Sequence, residues 1–218
     1  MNAKQNHCRP AGRAFTCQPE SPNPEVIAAA AAAILAGEVV CFPTTGLYGL
    51  GADAFNIGAI KRVFEIKRRP PDRPVLVLVD SVDQLKELVV RVPVSGHDLI
   101  KRFWPGKLTL VFQARRAVPD LLTAGTGKIG IRVPGHTVAR ALLAELDCPI
   151  TGTSANISGE PGCHRISDLP ESVCRAVCMV LDGGDLEGGV GSTVVDVSGE
   201  QPIVLREGAV PADLIRHH

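Results

Sequence analysis

Apolar positions along the chain fall into short runs, some at helical spacing and some extended, separated by proline and glycine. Residues 26–35 are apolar and alanine-rich, opened by Pro24-Glu25 and closed by Gly37, which predicts a helix. Residues 38–42 predict a short strand that Pro43 ends. Ile60, Val63 and Phe64 repeat at helical spacing, with Lys67 a turn further on. A helix is therefore expected from an N-cap at Asn56 to the prolines Pro70-Pro71. The unbroken apolar run 75–79 suits a strand buried on both faces. Ser81 is expected to cap a helix over 82–90, with further helices over 97–103, 136–146 and 169–177. Strands are expected over 108–112, 129–133, 150–153, 177–181, 193–197 and 203–205.

Helices alternate with strands early in the chain, and strands crowd together late. This order predicts an α/β protein: a single domain on one twisted, mixed parallel and antiparallel sheet with flanking helices. Residues 1–24, polar and carrying Pro10, Pro19, Pro22 and Pro24, are expected to form a tail or an arm on the surface. The folded domain is expected over 25–210, and 211–218 is a C-terminal end.

Composition narrows the classes. With 218 residues, 45% hydrophobic and 21% charged, the chain reads as globular rather than disordered, collagenous or coiled-coil. Lys and Arg number 23 against 23 Asp and Glu, which argues against coating nucleic acid by bulk attraction and leaves RNA contact only to a local basic groove. One Trp and one Tyr argue against an aromatic platform for stacked bases. Seven cysteines, an odd number, read as reduced thiols in a cytoplasmic protein. Cys174 and Cys178 lie four apart with Cys163-His164 nearby, but no CxxC occurs. Buried thiols are therefore expected rather than a metal site. No stretch is long enough to span a membrane, and residues 1–24 lack the apolar core of a secretory signal.

The common phosphate-loop and dinucleotide strings are absent; Gly125-Thr-Gly-Lys128 has the end of the former, but Leu122 stands where its first glycine belongs. Other strings remain. Pro43-Thr-Thr-Gly-Leu-Tyr-Gly-Leu-Gly51 carries two hydroxyls and three glycines. It is either a loop that brings backbone N–H groups to an anion or a glycine-rich turn with Tyr48 in the core. Lys67-Arg-Arg69-Pro70 with Arg73 is either a solvated helix end or a polyphosphate clamp. Thr151-Gly-Thr-Ser-Ala-Asn-Ile-Ser-Gly159 follows a strand, where ligands gather in open α/β sheets. Arg132-Val-Pro-Gly-His136, Gly188-Gly-Val-Gly-Ser-Thr-Val-Val-Asp196 and Leu205-Arg-Glu-Gly208 complete the set, with His136 read as a residue of a helix start.

Taken together and in this order, these strings resemble the YrdC-like family, in particular the TsaC-type L-threonylcarbamoyladenylate synthases. The family pattern is PTxTxYGLG, KxR-P, WPGPLT, RxPxH, SAN-SG, STVVD and LRxG, and the likeness covers residues 26–208. The resemblance implies a twisted mixed α/β sheet with a concave, positively charged cleft. It implies condensation of L-threonine, bicarbonate or CO₂, and ATP with Mg²⁺ into threonylcarbamoyl-AMP, a nucleotidyl transfer that releases pyrophosphate. A separate complex would then pass the threonylcarbamoyl group to tRNA. By position, Thr44 with Tyr48 would hold threonine. Lys67 and Arg69 would neutralise carboxylate and triphosphate, and Ser154 and Asn156 would bind around the α-phosphate and carbamate. Arg132, Ser192 and Arg206 would complete the nucleotide site, with no metal-ligating side chain.

Two departures stand out: Thr45-Gly46 where the family usually shows glutamate and threonine, and Lys107 in place of proline in WPGPLT. The first borders the amino-acid pocket, and the related YciO-like proteins, with a different acyl substrate, also alter this loop. An RNA-binding or ribosome-maturation module on the same basic cleft is the alternative from another class.

Overall fold

The strands Val40–Pro43, Tyr48–Gly51 and Met179–Asp182 are buried almost throughout, whereas Lys128–Arg132 alternates, and the strands pair into two sheets. The computed structural model describes residues 13–216. The chain begins with β1 (Arg13–Thr16), α1 (Pro24–Leu35), β2 (Val40–Pro43), β3 (Tyr48–Gly51), α2 (Ile57–Lys67), β4 (Val77–Leu78), α3 (Leu85–Leu88) and α4 (Val94–Phe103). It continues through β5 (Leu108–Gln113), α5 (Asp120–Thr123), β6 (Lys128–Arg132), α6 (Thr137–Leu146), β7 (Ile150–Thr151) and β8 (Thr153–Ser154). It ends with α7 (Glu171–Ala176), β9 (Met179–Asp182), β10 (Thr193–Asp196), β11 (Ile203–Arg206) and α8 (Asp213–Arg216). One sheet has the order β1-β9-β2-β3-β8, the other β11-β10-β5-β6-β4-β7, and both mix parallel and antiparallel pairs.

In the five-stranded sheet, Val40, Phe42, Met179 and Leu181 pack with α1 and α6, while Cys41, Tyr48, Leu50 and Val180 pack with α2 and α7. Helices thus cover both faces, as a sheet with parallel members requires. In the six-stranded sheet, Leu108, Leu110, Phe112, Ile129, Ile131 and Val195 join one core with α3, α4 and α5 residues, while Leu78 and Ile150 at the β4–β7 end pack into the core of α1 and α6. Across β5, β6 and β10 the other face is left for the site.

The mixed α/β architecture is as expected, but the strands divide between two sheets. The predicted strand 150–153 is where they part. Gly152 separates β7 from β8, and a Cβ there would lie 2.5 Å from Leu78 Cγ and 2.7 Å from Leu76 Cδ1. The backbone passes against these leucines because nothing projects from it.

Residues 13–16, expected in a tail or an arm on the surface, form the edge strand β1 along β9, with Phe15 beside Leu181 and Ala14 and Thr16 exposed. Asn23 caps α1, its Oδ1 accepting from the N–H groups of Glu25 and Val26. Asn56 caps α2 as expected, accepting from the Ala59 N–H at 3.0 Å. That helix stops at Arg68, which is left-handed with φ 48°, before the prolines are reached. Only 77–78 of the run 75–79 pairs as a strand, because Val75 and Leu76 bond to the Leu122 carbonyl and the Gly152 N–H in loops. The helix predicted over 82–90 is a short 3₁₀ turn followed by α3, and Ser81 makes no side-chain cap; Gln84 Oε1 accepts from the Asp80 N–H instead. His136 caps α6 through Nδ1, which accepts from the Val138 N–H at 3.3 Å. Among the described residues no helix is long and apolar enough to cross a membrane.

Candidate active site

The outward face of the six-stranded sheet forms the floor of a cavity of about 580 Å³. Strand alternation decides which residues reach it. On β5, Thr109 and Val111 face the cavity, with Lys107 just before the strand in the same alternation; on β6, Lys128, Gly130 and Arg132 do so. Ser192, Val194 and Asp196 follow the same rule on and beside β10, and Arg206 comes from β11. Opposite lie the β2–β3 loop with Thr44 to Leu47, the β8 turn with Ser154 and Asn156, and Arg69.

The chain is neutral, yet this cavity is not. Five cations line it (Arg69, Lys107, Lys128, Arg132 and Arg206) against two carboxylates, Glu160 and Asp196. Lys128 pairs with Asp196 at 2.7 Å, and Lys107 with Glu187 at 2.5 Å. Among the described residues, Arg69, Arg132 and Arg206 have no carboxylate within ion-pair distance. Arg132 is only 8% exposed and its Nε has no hydrogen-bond partner. Burial, followed by repulsion from Arg206, lowers its pKa from 12.5 to about 10, so the side chain stays charged at neutral pH. A buried guanidinium without a counter-ion is costly unless something negative comes to it. Arg206 donates to the Ser192 carbonyl at 2.7 Å, and the Ser192 and Thr109 hydroxyl oxygens are 2.7 Å apart. Arg69 is held by the carbonyls of Arg73 and Pro74; burial and then the Arg73 charge lower its pKa.

The β8 turn is built from within. The Ser154 hydroxyl donates to Asn156 Oδ1 at 2.5 Å, and Asn156 Nδ2 donates to the Glu160 carbonyl at 2.5 Å. Beneath it, Lys67 Nζ donates to the carbonyls of Ser154 (2.5 Å) and Asn156 (2.8 Å) and to Asn156 Oδ1 (2.9 Å). Lys67 is 1% exposed and is not among the residues lining the cavity. Sequence reasoning expected it against phosphate; here its three donors are directed to the Ser154–Asn156 segment. The left-handed turn at Arg68 sends Arg69 to the cavity and leaves Lys67, on the last turn of α2, under the Ser154–Asn156 segment. Burial, with Arg69 nearby, lowers the Lys67 pKa from 10.5 to about 8.

Thr44 lines the cavity, its hydroxyl donating to the Leu47 carbonyl at 2.6 Å. Tyr48, expected beside threonine, borders the cavity, but its side chain is 0% exposed and packs in the core. Its hydroxyl donates to the Gly184 carbonyl at 2.7 Å and accepts from the Gly183 N–H at 3.1 Å. Of the two readings of this loop, the glycine-rich turn with Tyr48 in the core is the one seen, and the loop borders the cavity. The Gly46 departure has a steric reason. A Cβ there would lie 2.9 Å from the Gly188 carbonyl oxygen, and the Gly46 carbonyl accepts the Gly188 N–H at 3.0 Å. Thr45 Oγ1 is buried and unpartnered at the cavity wall.

Sequence reasoning missed Thr109, Lys128 and Asp196 and noted Lys107 only as a departure from the family pattern; the alternation in 107–111 and 128–132 was the available signal for Lys107, Thr109 and Lys128. Cys163 and Cys174 are buried and Cys178 exposed, and among the described residues no group of three or more His, Cys, Asp or Glu could hold a metal ion.

A mixed α/β fold with a cationic, hydroxyl-rich cavity between two sheets is the architecture of a small-molecule site for anions. The Sua5/YciO/YrdC family model, described as Telomere recombination, matches residues 32–208, and the chain belongs to that family. It is similar to the threonylcarbamoyl-AMP synthase of Pyrococcus abyssi, 40% identical over 85% of this chain and 55% of that protein. It is also similar to the threonylcarbamoyl-AMP synthase of Bacillus subtilis, 39% identical over 89% of this chain and 57% of that protein. Among solved structures it resembles P. abyssi Sua5 complexed with L-threonine, with a TM-score of 0.87, 36% identity and coverage of 93% of this chain and 59% of that one. The chain thus spans a little more than half the length of these relatives.

Proposed function

We propose that the chain synthesises L-threonylcarbamoyladenylate from L-threonine, bicarbonate and ATP with release of pyrophosphate, as a cytoplasmic nucleotidyltransferase. Its product would supply a separate complex that modifies tRNA. The observation that carries this reading is Arg132: a buried guanidinium with no carboxylate, beside Arg206, Ser192 and Thr109 at the floor of a cavity large enough for a nucleotide. The names of the relatives, and the threonine in one of their structures, agree with it.

In this reading the threonine amine and bicarbonate combine to a carbamate with loss of water. A carbamate oxygen then attacks the α-phosphorus of ATP as the bond to the departing pyrophosphate breaks. Attacker and target are both anions, so the tasks of the protein are charge neutralisation and positioning. Arg69, Arg132 and Arg206 serve the phosphates, and Thr44, Ser154 and Asn156 serve the amino acid and carbamate. Lys67 holds the turn that carries Ser154 and Asn156. Asp196 is held by Lys128 rather than free to cage Mg²⁺, so the ion would be held by the phosphates of ATP and would supply charge neutralisation there.

Pyrophosphate release that requires ATP, threonine and bicarbonate together is the expected result, and equal release without either co-substrate would overturn the reading. A different amino acid is the alternative with an observation behind it, because Thr45 Oγ1 is unpartnered at the wall. A panel of amino acids in the same assay decides between them.

A further inference from the structure

Lys107 stands on the cavity side of β5, two residues before Thr109 in the alternation, and its carbonyl accepts the Thr193 N–H at 3.1 Å. Thr193 pairs with Leu108, so Lys107 lies beside Ser192 on the neighbouring strand. It therefore belongs to the end of the floor that carries Thr109, Arg132, Ser192 and Arg206. Its partner Glu187 is different in kind. Glu187 is not among the lining residues, its side chain is 66% exposed, and it rides on a loop whose Gly184, Gly188 and Gly189 have positive φ. The lysine is built into the strand register, whereas the carboxylate reaches it from a loop. An exposed ion pair of this kind contributes little and exchanges readily.

We infer that Lys107 is a polyphosphate-binding residue of the cavity and that Glu187 is its resident counter-ion, displaced when the anion enters. This rests on the nucleotide reading given above. Lys107 exchanges one carboxylate for phosphate oxygens, which present more charge and more acceptors to the ammonium group. Glu187 thereby acts as an internal competitor with the phosphates. The two residues of one ion pair then have opposite effects on affinity, which a purely structural bridge would not produce.

Calorimetric titration of the full chain with MgATP, and separately with inorganic pyrophosphate, tests this. Lys107→Met is expected to weaken binding about tenfold, the effect of losing one charge-assisted contact. Glu187→Gln is expected to tighten it about threefold, the scale of an exposed pair. In the Lys107→Met background, Glu187→Gln should change nothing, because the carboxylate acts through the lysine. Shifts of both single variants in one direction, or no shift in either, would overturn the inference. So would equal tightening by Glu187→Gln with and without Lys107, which marks a general field effect. Wild-type protein that binds neither ligand would overturn the nucleotide reading itself. Both side chains are surface-accessible, and unchanged thermal melts of the variants confirm that the comparison is between folded proteins.

Discussion

Lys67 shows how a single side chain can keep its importance and change its role. Three carbonyl oxygens of the Ser154–Asn156 turn take its three N–H groups, so the lysine shapes the site from behind. Lys67→Met takes the lysine donor from the Asn156 carbonyl, at a cost of about 1–3 kcal/mol, while the Ser154 carbonyl keeps the Asn156 N–H and Asn156 Oδ1 keeps the Ser154 hydroxyl; it should lower both the melting temperature and pyrophosphate release, the latter by at least about 10²-fold. Its folded pKa of about 8 lies below the ordinary 10.5. Between those values the unfolded chain keeps the proton that the folded lysine has lost. The contribution of Lys67 to stability therefore rises with pH across this window, its charged burial being a penalty below pH 8. A neutral amine has one donor fewer for the turn, so activity should fall along an alkaline limb near pH 8. Rate profiles of the wild type against Lys67→Met check this, since the limb should vanish in the variant. The sequence placed Lys67 and Arg69 against one site; Arg69 lines the cavity and Lys67 does not, and nothing local showed that Arg68 would turn left-handed and separate their directions.

At the scale of elements, helix ends were legible where a side chain acts locally. Asn56 and Gly37 could be read from sequence because a cap and a positive-φ glycine act within a turn. The helix over 82–90 was misread because its apolar spacing is shared by a 3₁₀ turn and a short helix, and Gln84 rather than Ser81 satisfies the backbone. The strand over 150–153 looked continuous because nothing local marks Gly152 as a crossing between sheets. Gly152→Ala should destabilise the protein by about 1–3 kcal/mol, since the new methyl meets Leu76 and Leu78 from a position already filled. Urea titration measures this, and a midpoint equal to wild type would refute the tight passage.

At the scale of the whole molecule, charge is the organising quantity. A chain with equal numbers of acids and bases gathers five cations and two carboxylates around one cavity. Such a site should be stabilised by its ligand: pyrophosphate at 100 times its Kd should raise the unfolding free energy by about 2.7 kcal/mol, seen as a rise in melting temperature. Added salt should reduce that gain, because partly exposed cations such as Lys107 are screened. By itself the sequence determined helix ends such as Asn56 and Gly37 and the collinear strings that mark the family, all of them short-range or compositional properties. Only the tertiary structure decided that there are two sheets, that Tyr48 is core, that Lys67 lies under the site and that Lys107 faces into it. Those outcomes depend on which distant strands share hydrogen bonds and which way a chain leaves its helix. Both are settled by packing between residues far apart in sequence, for which no local pattern exists.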